Sequence, residues 1–422
     1  MSPARLRFAC LAALLLLAEG SAVARPTAPP RRVLTQVERL LAAGFTDEAE
    51  TLLAPYPAST GESPRLLGLR GELAFLGGDY GRAGVLVEEA LTRGRGAPRL
   101  RALRELIVAS TELVRGHVER RLPHGHFRVF LPRGKDELLA PFALATLEKL
   151  RERVGEALGY LPRRPIRVEF LSGPAELAKI APLSVAEIER SGTIALSRHD
   201  RLLLVTPRAL PRGYPWLDTL GHEYVHLVVG RLAGAAAPVW LHEGLARCLE
   251  ASWRLPAGSP PPLAPALEHL LGEALRGGRL IPWEAMSPSL AKLPDQRSTL
   301  LAFAQVQTAV ELIAERGGKA ALRRLVSQLR QGEDEWAAVS EVTGLERRPF
   351  EQAWRRNLRG RNLRRLPGLV PPELRFGRAP TAEQRLAAVQ ESAARQHLRL
   401  AELLRDRRLT SAAVVEYQRA RT

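Results

Sequence analysis

The segment Trp216–Glu250, WLDTLGHEYVHLVVGRLAGAAAPVWLHEGLARCLE, constrains the fold of this chain more than any other stretch. His222 and His226 are four residues apart in a largely apolar run, so in a helix both imidazoles lie on one face, one turn apart. An imidazole or carboxylate that is buried without a partner costs free energy. The pattern therefore predicts a buried helix whose two histidines share a partner, for which a metal ion is suitable.

A second helix is predicted to complete this site. A catalytic zinc site has three protein ligands at about 2.0–2.1 Å and a fourth position open to water. Glu243 is the best candidate for the third ligand, because it follows His226 by 17 residues. That distance allows the first helix to end, the chain to turn and a second helix to cross the first. Glu223 is close enough to contact a water on the same ion without being a ligand.

The two motifs together, HEYVH and PVWLHEGLA, resemble the gluzincin metallopeptidases, and more specifically the peptidase MA-like domain family. Aminopeptidase N-like enzymes share the same order, HExxH and then a W-L-x-E-G helix. The resemblance implies an α+β metallopeptidase domain in which His222, His226 and Glu243 bind Zn²⁺ and Glu223 is the general base. It extends weakly over residues 125–360, and only its centre is specific.

Some features depart from that family's pattern. The gap between His226 and Glu243 is slightly shorter than in aminopeptidase N-like enzymes, which implies a tighter turn with the same ligands. Members of the class often place a tyrosine on a later helix to stabilise the oxyanion, whereas the matching position here is Phe303, which has no hydroxyl group. Tyr214 and His199 are alternatives for that role. The upstream GTIALS segment has no carboxylate to hold a free amine, so an endopeptidase is favoured over an aminopeptidase.

Neighbouring polar residues have alternative interpretations. Asp218 lies four residues before His222, so it either orients that ring or is an acidic residue favoured in the first turn of a helix. His242 is interpreted as a polar neighbour rather than a ligand, because adjacent helical residues such as His242 and Glu243 point about 100° apart. A strand predicted at Arg201–Thr206 is a candidate for holding the substrate backbone in an extended form.

The rest of the chain predicts an export signal and helical repeats. Residues 1–24 combine a basic start, a short apolar core and an A-x-A cleavage motif, so the mature protein is expected in the periplasm or outside the cell. Residues 31–95 contain two similar helical pieces offset by 34 residues, the tetratricopeptide period, although a plain pair of helical hairpins is the alternative. A helical connector is predicted at 96–122, the gluzincin-like peptidase domain at 123–365, and a further helical repeat, complete or truncated, at 380–422.

Hydrophobic periodicity within the predicted peptidase domain alternates between strands and helices. Alternating apolar residues predict strands at 126–132 and 165–172, with shorter strands at 192–197 and 201–207. A long amphipathic helix is predicted at 137–162, and further helices follow the metal-binding motifs. The expected fold class is therefore an α+β gluzincin-type domain flanked by all-α tetratricopeptide-like repeats.

Composition excludes some partners. The chain has 422 residues and a formal net charge of +17, but only five of its 62 basic residues are lysines. The arginines are spread along the chain without a compact basic run that contains aromatic residues, so no nucleic-acid partner is predicted. No segment after residue 24 is long and apolar enough to span a bilayer, so no stable membrane insertion is expected after signal removal.

Three functions are consistent with these patterns. The favoured one is an exported zinc metalloprotease that hydrolyses peptide or protein substrates, with helical repeats that recruit a protein partner. The first alternative is an inactive peptidase-like protein that keeps zinc and acts through its repeats, which the absence of a hydroxyl group at Phe303 favours. The second is a structural scaffold without metal, which would leave His222, His226 and Glu243 facing one another without a purpose. For Glu223 by itself, the alternative interpretation is an ordinary helix glutamate.

Overall fold

The computed structural model describes residues 28–58, 62–94, 98–318, 320–371, 374–376 and 381–421. The predicted signal peptide at 1–24 lies outside these residues. Within them, the chain is mostly helical around one small mixed sheet, which confirms an α+β fold class. Every helix in the described part of the chain is too short or too polar to cross a bilayer.

Helices that pack in pairs precede the sheet. They are α1 Arg31–Ala42, α2 Thr46–Leu53, α3 Pro64–Leu76, α4 Tyr80–Arg93 and α5 Pro98–Leu113. α1 packs on α2, and α3 packs on α4. Gly71 permits the second contact, since a Cβ there would lie 2.7 Å from Val87 Cγ2. Both the repeat interpretation and the plain pair of hairpins fit this arrangement, so the tetratricopeptide assignment stays a prediction.

The sheet has its apolar strands in the middle. In the described residues it contains β1 Val118–Arg120, β2 Phe127–Leu131, β3 Ile166–Leu171, β4 Ala195–Arg198 and β5 Arg201–Val205, in the order β1-β2-β3-β5-β4. β2, β3 and β5 are parallel neighbours, whereas β1 and β4 run antiparallel at the two edges. β5 is buried along its whole length, as its continuous apolar run requires. β1 lies in the stretch predicted as a helical connector and belongs instead to the sheet.

The remaining helices surround the sheet and follow it. They are α6 Ala140–Leu158, α7 Pro174–Ala178, α8 Val185–Ser191, α9 Trp216–Ala233, α10 Val239–Leu249, α11 Pro265–Arg276, α12 Gln296–Gly317, α13 Ala321–Gln331, α14 Glu335–Thr343, α15 Arg347–Gly360, α16 Ala382–Ala387, α17 Ser392–Asp406 and α18 Thr410–Arg419. Short 3-10 turns lie between them at Lys135–Leu139, Pro207–Ala209, Gly234–Ala236, Trp283–Met286 and Leu290–Lys292. α6 is shorter than the helix predicted at 137–162, because Gly159 ends it in a left-handed conformation.

A cluster of tryptophans holds α10 in the main core. Trp240, at the start of α10, has its ring centroid 5.0 Å from that of Trp283 and 5.3 Å from that of Trp336. Trp354 extends the cluster, 5.1 Å from Trp283. Large buried aromatic side chains contribute much of the burial energy of a core. The tryptophan of the VWLHEGLA motif therefore fixes the helix that carries Glu243.

A buried polar network joins the N-terminal helices to the sheet. Glu169 on β3 accepts hydrogen bonds from Tyr80 on α4 and from Arg167. Arg201 on β5 donates to Tyr80 and, at 3.0 Å, to Ser110 on α5. Each of these charges is removed from water and is compensated by its neighbours, so loss of one partner would leave a buried charge uncompensated. α4 and α5 are thereby fixed against the sheet.

Candidate metal centre

Two crossing helices joined by a tight turn form the centre. α9 and α10 are connected by the 3-10 turn Gly234–Ala236. Gly234 has a φ of +58°, and a Cβ there would overlap the carbonyl oxygen of Ala43 on the N-terminal hairpin. Only glycine adopts this conformation so close to another backbone without strain. The turn is therefore short, as the spacing between the two motifs predicts.

Glycines let the helices approach closely. A Cβ on Gly221 would overlap the carbonyl oxygen of Glu250, at the end of α10. A Cβ on Gly244 would lie 2.7 Å from the carbonyl oxygen of Val306 on α12. Both distances are shorter than real side chains tolerate. The glycine beside each of the two motifs is thus needed for packing, which brings α9, α10 and α12 together around one point.

Three side chains meet at that point. His222 Nε2 lies 3.0 Å from His226 Nε2 and 3.2 Å from Glu243 Oε2, and the His226 nitrogen lies 3.3 Å from the same oxygen. Ligands about 2.0–2.1 Å from a tetrahedral zinc ion lie about 3.3 Å from one another. The three atoms therefore have the mutual spacing of ligands to one ion, and these residues are the group in the described chain that could hold a metal.

Glu250 orients the first histidine. Its Oε2 accepts a hydrogen bond from His222 Nδ1 at 3.0 Å, and Arg247 holds the same carboxylate at 2.7 Å and 2.9 Å. Because Nδ1 carries the proton, Nε2 is the nitrogen that faces Glu243 and His226. Although burial opposes the charged imidazolium, hydrogen bonds with Glu243 and Glu250 raise the pKa of His222 to about 10. A metal ion at this site would therefore displace a proton from Nε2.

His242 orients the second histidine. Its Nδ1 lies 2.6 Å from His226 Nδ1, and the two rings stack with centroids 4.6 Å apart. Burial, followed by the neighbouring His226, lowers the pKa of His242 to about 3. A neutral His242 can accept the Nδ1 proton of His226, which leaves His226 Nε2 directed at the shared point. His242 is thus a polar neighbour of the ligands, in agreement with its interpretation from the sequence.

Glu223 is buried beside the three side chains and outside their group. Burial raises the pKa of its carboxyl, while the two histidines and a hydrogen bond from the backbone of Ser197 act in the opposite direction. Burial also opposes ionisation of Glu243, but His226 and His222 lower the pKa of that carboxyl well below its usual range. The environment therefore separates the two carboxyls, since one is held as an anion and the other accepts a proton more readily.

The position predicted for an oxyanion-stabilising tyrosine lies against the site. The Phe303 ring on α12 packs edge-on to His222 with centroids 5.9 Å apart, and the Arg247 guanidinium lies 5.5 Å from the Phe303 centroid. Tyr214 donates its hydroxyl hydrogen to the carbonyl oxygen of Val205, and burial raises the pKa of this phenol. Phe303 therefore has no hydroxyl group for this role, and the Tyr214 hydroxyl is already hydrogen-bonded to Val205.

Asp218 does not orient His222. Its carboxylate binds Arg254 at 2.7 Å and 3.0 Å and accepts a hydrogen bond from Trp253 Nε1 at 3.0 Å. It lies in the first turn of α9, which agrees with the other interpretation from the sequence. Glu250 takes the orienting role, which was not predicted from the sequence. The available signal was its spacing, because residues seven apart, such as Glu243 and Glu250, share a helix face.

A cleft of about 1370 Å³ opens over the centre. β4 forms one margin and, as the outermost strand, has its free side unpaired with any other strand in the described residues. The strand predicted to hold substrate, Arg201–Thr206, is instead the interior strand β5 and has β3 and β4 as neighbours. The strand edge beside this cleft is therefore that of β4. C-terminal residues, among them Val370, Leu374 and Arg385, line another side of the cleft.

Comparison of the chain with protein-family models gives no match, and comparison with curated proteins gives no relative. The family resemblance therefore rests on the two motifs and stays a prediction.

Proposed function

We propose that this protein is an exported zinc-dependent peptidase of gluzincin type that hydrolyses internal peptide bonds. The observation that supports it most is the group His222, His226 and Glu243, which line a cleft and whose three donor atoms lie 3.0–3.3 Å apart. Two imidazoles and one carboxylate are a donor set of catalytic zinc sites. These residues would hold the ion, and zinc, when bound, supplies a Lewis acid and lowers the pKa of a water molecule to about 7.

Glu223 is proposed as the general base. Its carboxyl is buried in the cleft beside the proposed ligands, and burial raises its pKa, which favours uptake of a proton. In the proposed reaction it accepts a proton from the attacking water and delivers it to the nitrogen of the leaving amine. The proton therefore moves from water to the amine through one side chain, and Glu223 returns to its starting state.

The free side of β4 is proposed to bind the substrate. A peptide in an extended conformation can pair its main chain with an unpaired strand edge, which gives affinity with little dependence on side chains. β4 contributes its whole length to the cleft, and the backbone of Ser197 on this strand lies beside Glu223. A peptide on β4 would therefore run past the proposed general base. The absence of a carboxylate on β4 favours cleavage within a chain.

The proposed peptidase is exported and binds a protein partner or substrate through its N-terminal helices. The basic start, apolar core and cleavage motif of residues 1–24 support secretion to the periplasm or beyond the cell. The paired helices α1–α4 support a role for tetratricopeptide-like repeats in recruiting a protein partner or substrate.

A second candidate is a zinc-binding protein that has lost activity. Phe303 favours it, since its phenyl ring lies against His222 where a tyrosine hydroxyl would stabilise the oxyanion. Removing one oxyanion donor typically lowers the rate by about 10²–10³-fold. The helical surfaces would then be the working part of the molecule.

One experiment separates these functions. The full-length protein and Glu223→Gln are compared for zinc content and for cleavage of casein and a peptide library, before and after chelation. The proposal predicts equal zinc in both proteins and cleavage that is lost by about 10²–10⁴-fold in the variant. Equal cleavage by both would contradict the role of Glu223, whereas bound zinc without cleavage in either would select the inactive zinc protein.

A further inference from the structure

A strained turn lies at the end of the cleft margin. β4 and β5 are joined by two residues, His199 and Asp200, both in the left-handed region with φ of 52° and 61°. Two positive φ values in a two-residue hairpin are the pattern of a type I′ turn. Side-chain contacts hold it: Asp200 binds Arg231 of α9 at 2.7 Å, and the His199 ring packs on Phe75 of α3 with centroids 5.6 Å apart. The turn is therefore fixed between a metal-centre helix and the N-terminal helices.

Arg198, the last residue of β4, is partly buried there without an anion. Its Nε donates to His199 Nε2 at 2.9 Å, and it has no carboxylate partner among the described residues. Asp200, two residues further along the chain, is paired with Arg231, and Glu169 on β3 is paired with Arg201. Burial, followed by the positive charge of Arg201, lowers the pKa of Arg198. A guanidinium removed from water without a counter-charge is costly, so this position favours an anionic ligand.

A second cavity adjoins this guanidinium. It has a volume of about 350 Å³ and shares Leu76, Arg198 and His199 with the main cleft. Its walls are largely apolar and come from α3, α5 and the segment after α7, including Phe75, Leu103, Leu106 and Ile180. It therefore lies next to the cleft at the β4–β5 turn and takes one wall from the N-terminal helices; we call it the side chamber.

The side chamber has a cationic character. Lys179 lies on its wall and is exposed, with no acidic partner among the described residues. Among the described residues that line the chamber, Glu72 has the only acidic side chain. Arg99 donates hydrogen bonds to its two oxygens at 2.7 Å and 2.9 Å and so neutralises it. Arg198 and Lys179 are thus two positive charges beside apolar walls. An arginine fork and an ammonium group are the donors that carboxylates prefer.

We propose that the side chamber is a subsite for a carboxylate of the peptide bound along β4, with Arg198 as its partner and Lys179 at its rim. The inference rests on the proposed use of β4 by an extended peptide. Because β4 ends at Arg198, a residue of the peptide near this end would direct its side chain or its terminus into the chamber. The N-terminal helices then contribute to substrate selection through α3 and α5, and acidic peptides are the preferred class.

Binding of short labelled peptides tests this without depending on turnover. Fluorescence anisotropy is measured with the full-length Glu223→Gln protein and blocked alanine-rich peptides that carry one Glu, or one Gln, at each position in turn. At one position, Glu is expected to bind about tenfold more tightly than Gln, the size of a charge-assisted hydrogen bond. A parallel series with a free C-terminus distinguishes a side-chain carboxylate from a terminal one, and a preference in either series supports the subsite.

Two variants and a control make the test specific. Arg198→Met is expected to remove the preference for Glu, and Ala102→Trp, at an exposed position on the chamber wall, is expected to remove it without changing any charge. Arg101→Met, an exposed arginine on the same helix outside both cavities, should keep it. The inference is overturned if no position distinguishes Glu from Gln, or if the preference survives both chamber variants. A preference for Glu in a protein that cleaves nothing would keep the subsite and refute the proposed peptidase.

Discussion

The candidate metal centre and the cleft margin differ in how their charges are satisfied. Around the centre, each proposed ligand has a partner: Glu250 holds His222, His242 holds His226, and both histidines face Glu243. At the margin, Arg198 has only the neighbouring imidazole as an acceptor among the described residues. The comparison teaches that the centre is organised by its own residues, whereas the margin has a positive charge that a bound anion would complete. Variants of the centre should therefore change metal binding, and variants of the margin should change peptide choice.

Loss of a proposed ligand should have the largest effect. Glu243→Ala removes the only carboxylate in the group of three, and we expect zinc affinity to fall by more than about 100-fold, beyond the range typical for residues that merely orient ligands. Competition with a chromophoric chelator measures the affinity. Unchanged zinc affinity in a folded variant would contradict the comparison, because zinc binding would then not depend on the Glu243 carboxylate.

Loss of an orienting group should have a smaller effect. Glu250→Gln weakens the hydrogen bond to His222 Nδ1, and we expect zinc affinity to fall by about 10–100-fold. Asp218→Asn is the matched control, since Asp218 binds Arg254 and Trp253 instead of His222. The same chelator competition measures both variants. Equal losses would show that the Glu250 contact has no special role.

The close approach of α9 and α10 can be tested with two glycines of α9. Gly221→Ala places a Cβ against the Glu250 carbonyl oxygen, and we expect the free energy of unfolding to fall by about 1–3 kcal/mol. Gly230→Ala, on the same helix, meets open space and is expected to be neutral or to stabilise by up to about 1 kcal/mol. Urea denaturation measures both. Similar values for the two variants would contradict the close crossing of α9 and α10.

Proton linkage should distinguish metal-free from metal-bound protein. The pKa of His222 is raised from 6.5 to about 10, so its protonated form stabilises the metal-free fold fully below pH 6.5, and this stabilisation is lost as the pH rises to about 10. Zinc competes with that proton, so its affinity should rise by up to about tenfold per pH unit within this window. Calorimetry in buffers of different ionisation enthalpy measures the proton released. Zinc binding without proton release at pH 7 would contradict the shared site.

Local sequence patterns predicted those parts of the fold and the site that depend on a single helix or strand. The spacing of His222 and His226 requires only a helix, and the alternating or continuous apolar runs at 126–132, 165–172 and 201–207 each contain a strand of the sheet. β1 was missed because its three residues are largely exposed and show no alternation.

Features that depend on how elements meet could not be predicted in the same way. Glu250 orients His222 because Gly221 lets α9 approach the end of α10, a contact between residues 28 positions apart. The edge position of β4, rather than β5, follows from the order of strands in the sheet, which neither strand encodes by itself. The side chamber requires α3 and α5 to pack beside the β4–β5 turn. Each of these is a product of tertiary packing.

Zinc X-ray absorption of the purified full-length protein tests the central claim most directly, since the claim is that His222, His226 and Glu243 share one ion. The account predicts one zinc per chain, with nitrogen and oxygen ligands at about 2.0–2.1 Å, and loss of the bound zinc in His226→Ala. Absence of zinc from the folded protein, or bound zinc that survives in His226→Ala with unchanged ligands, would contradict it.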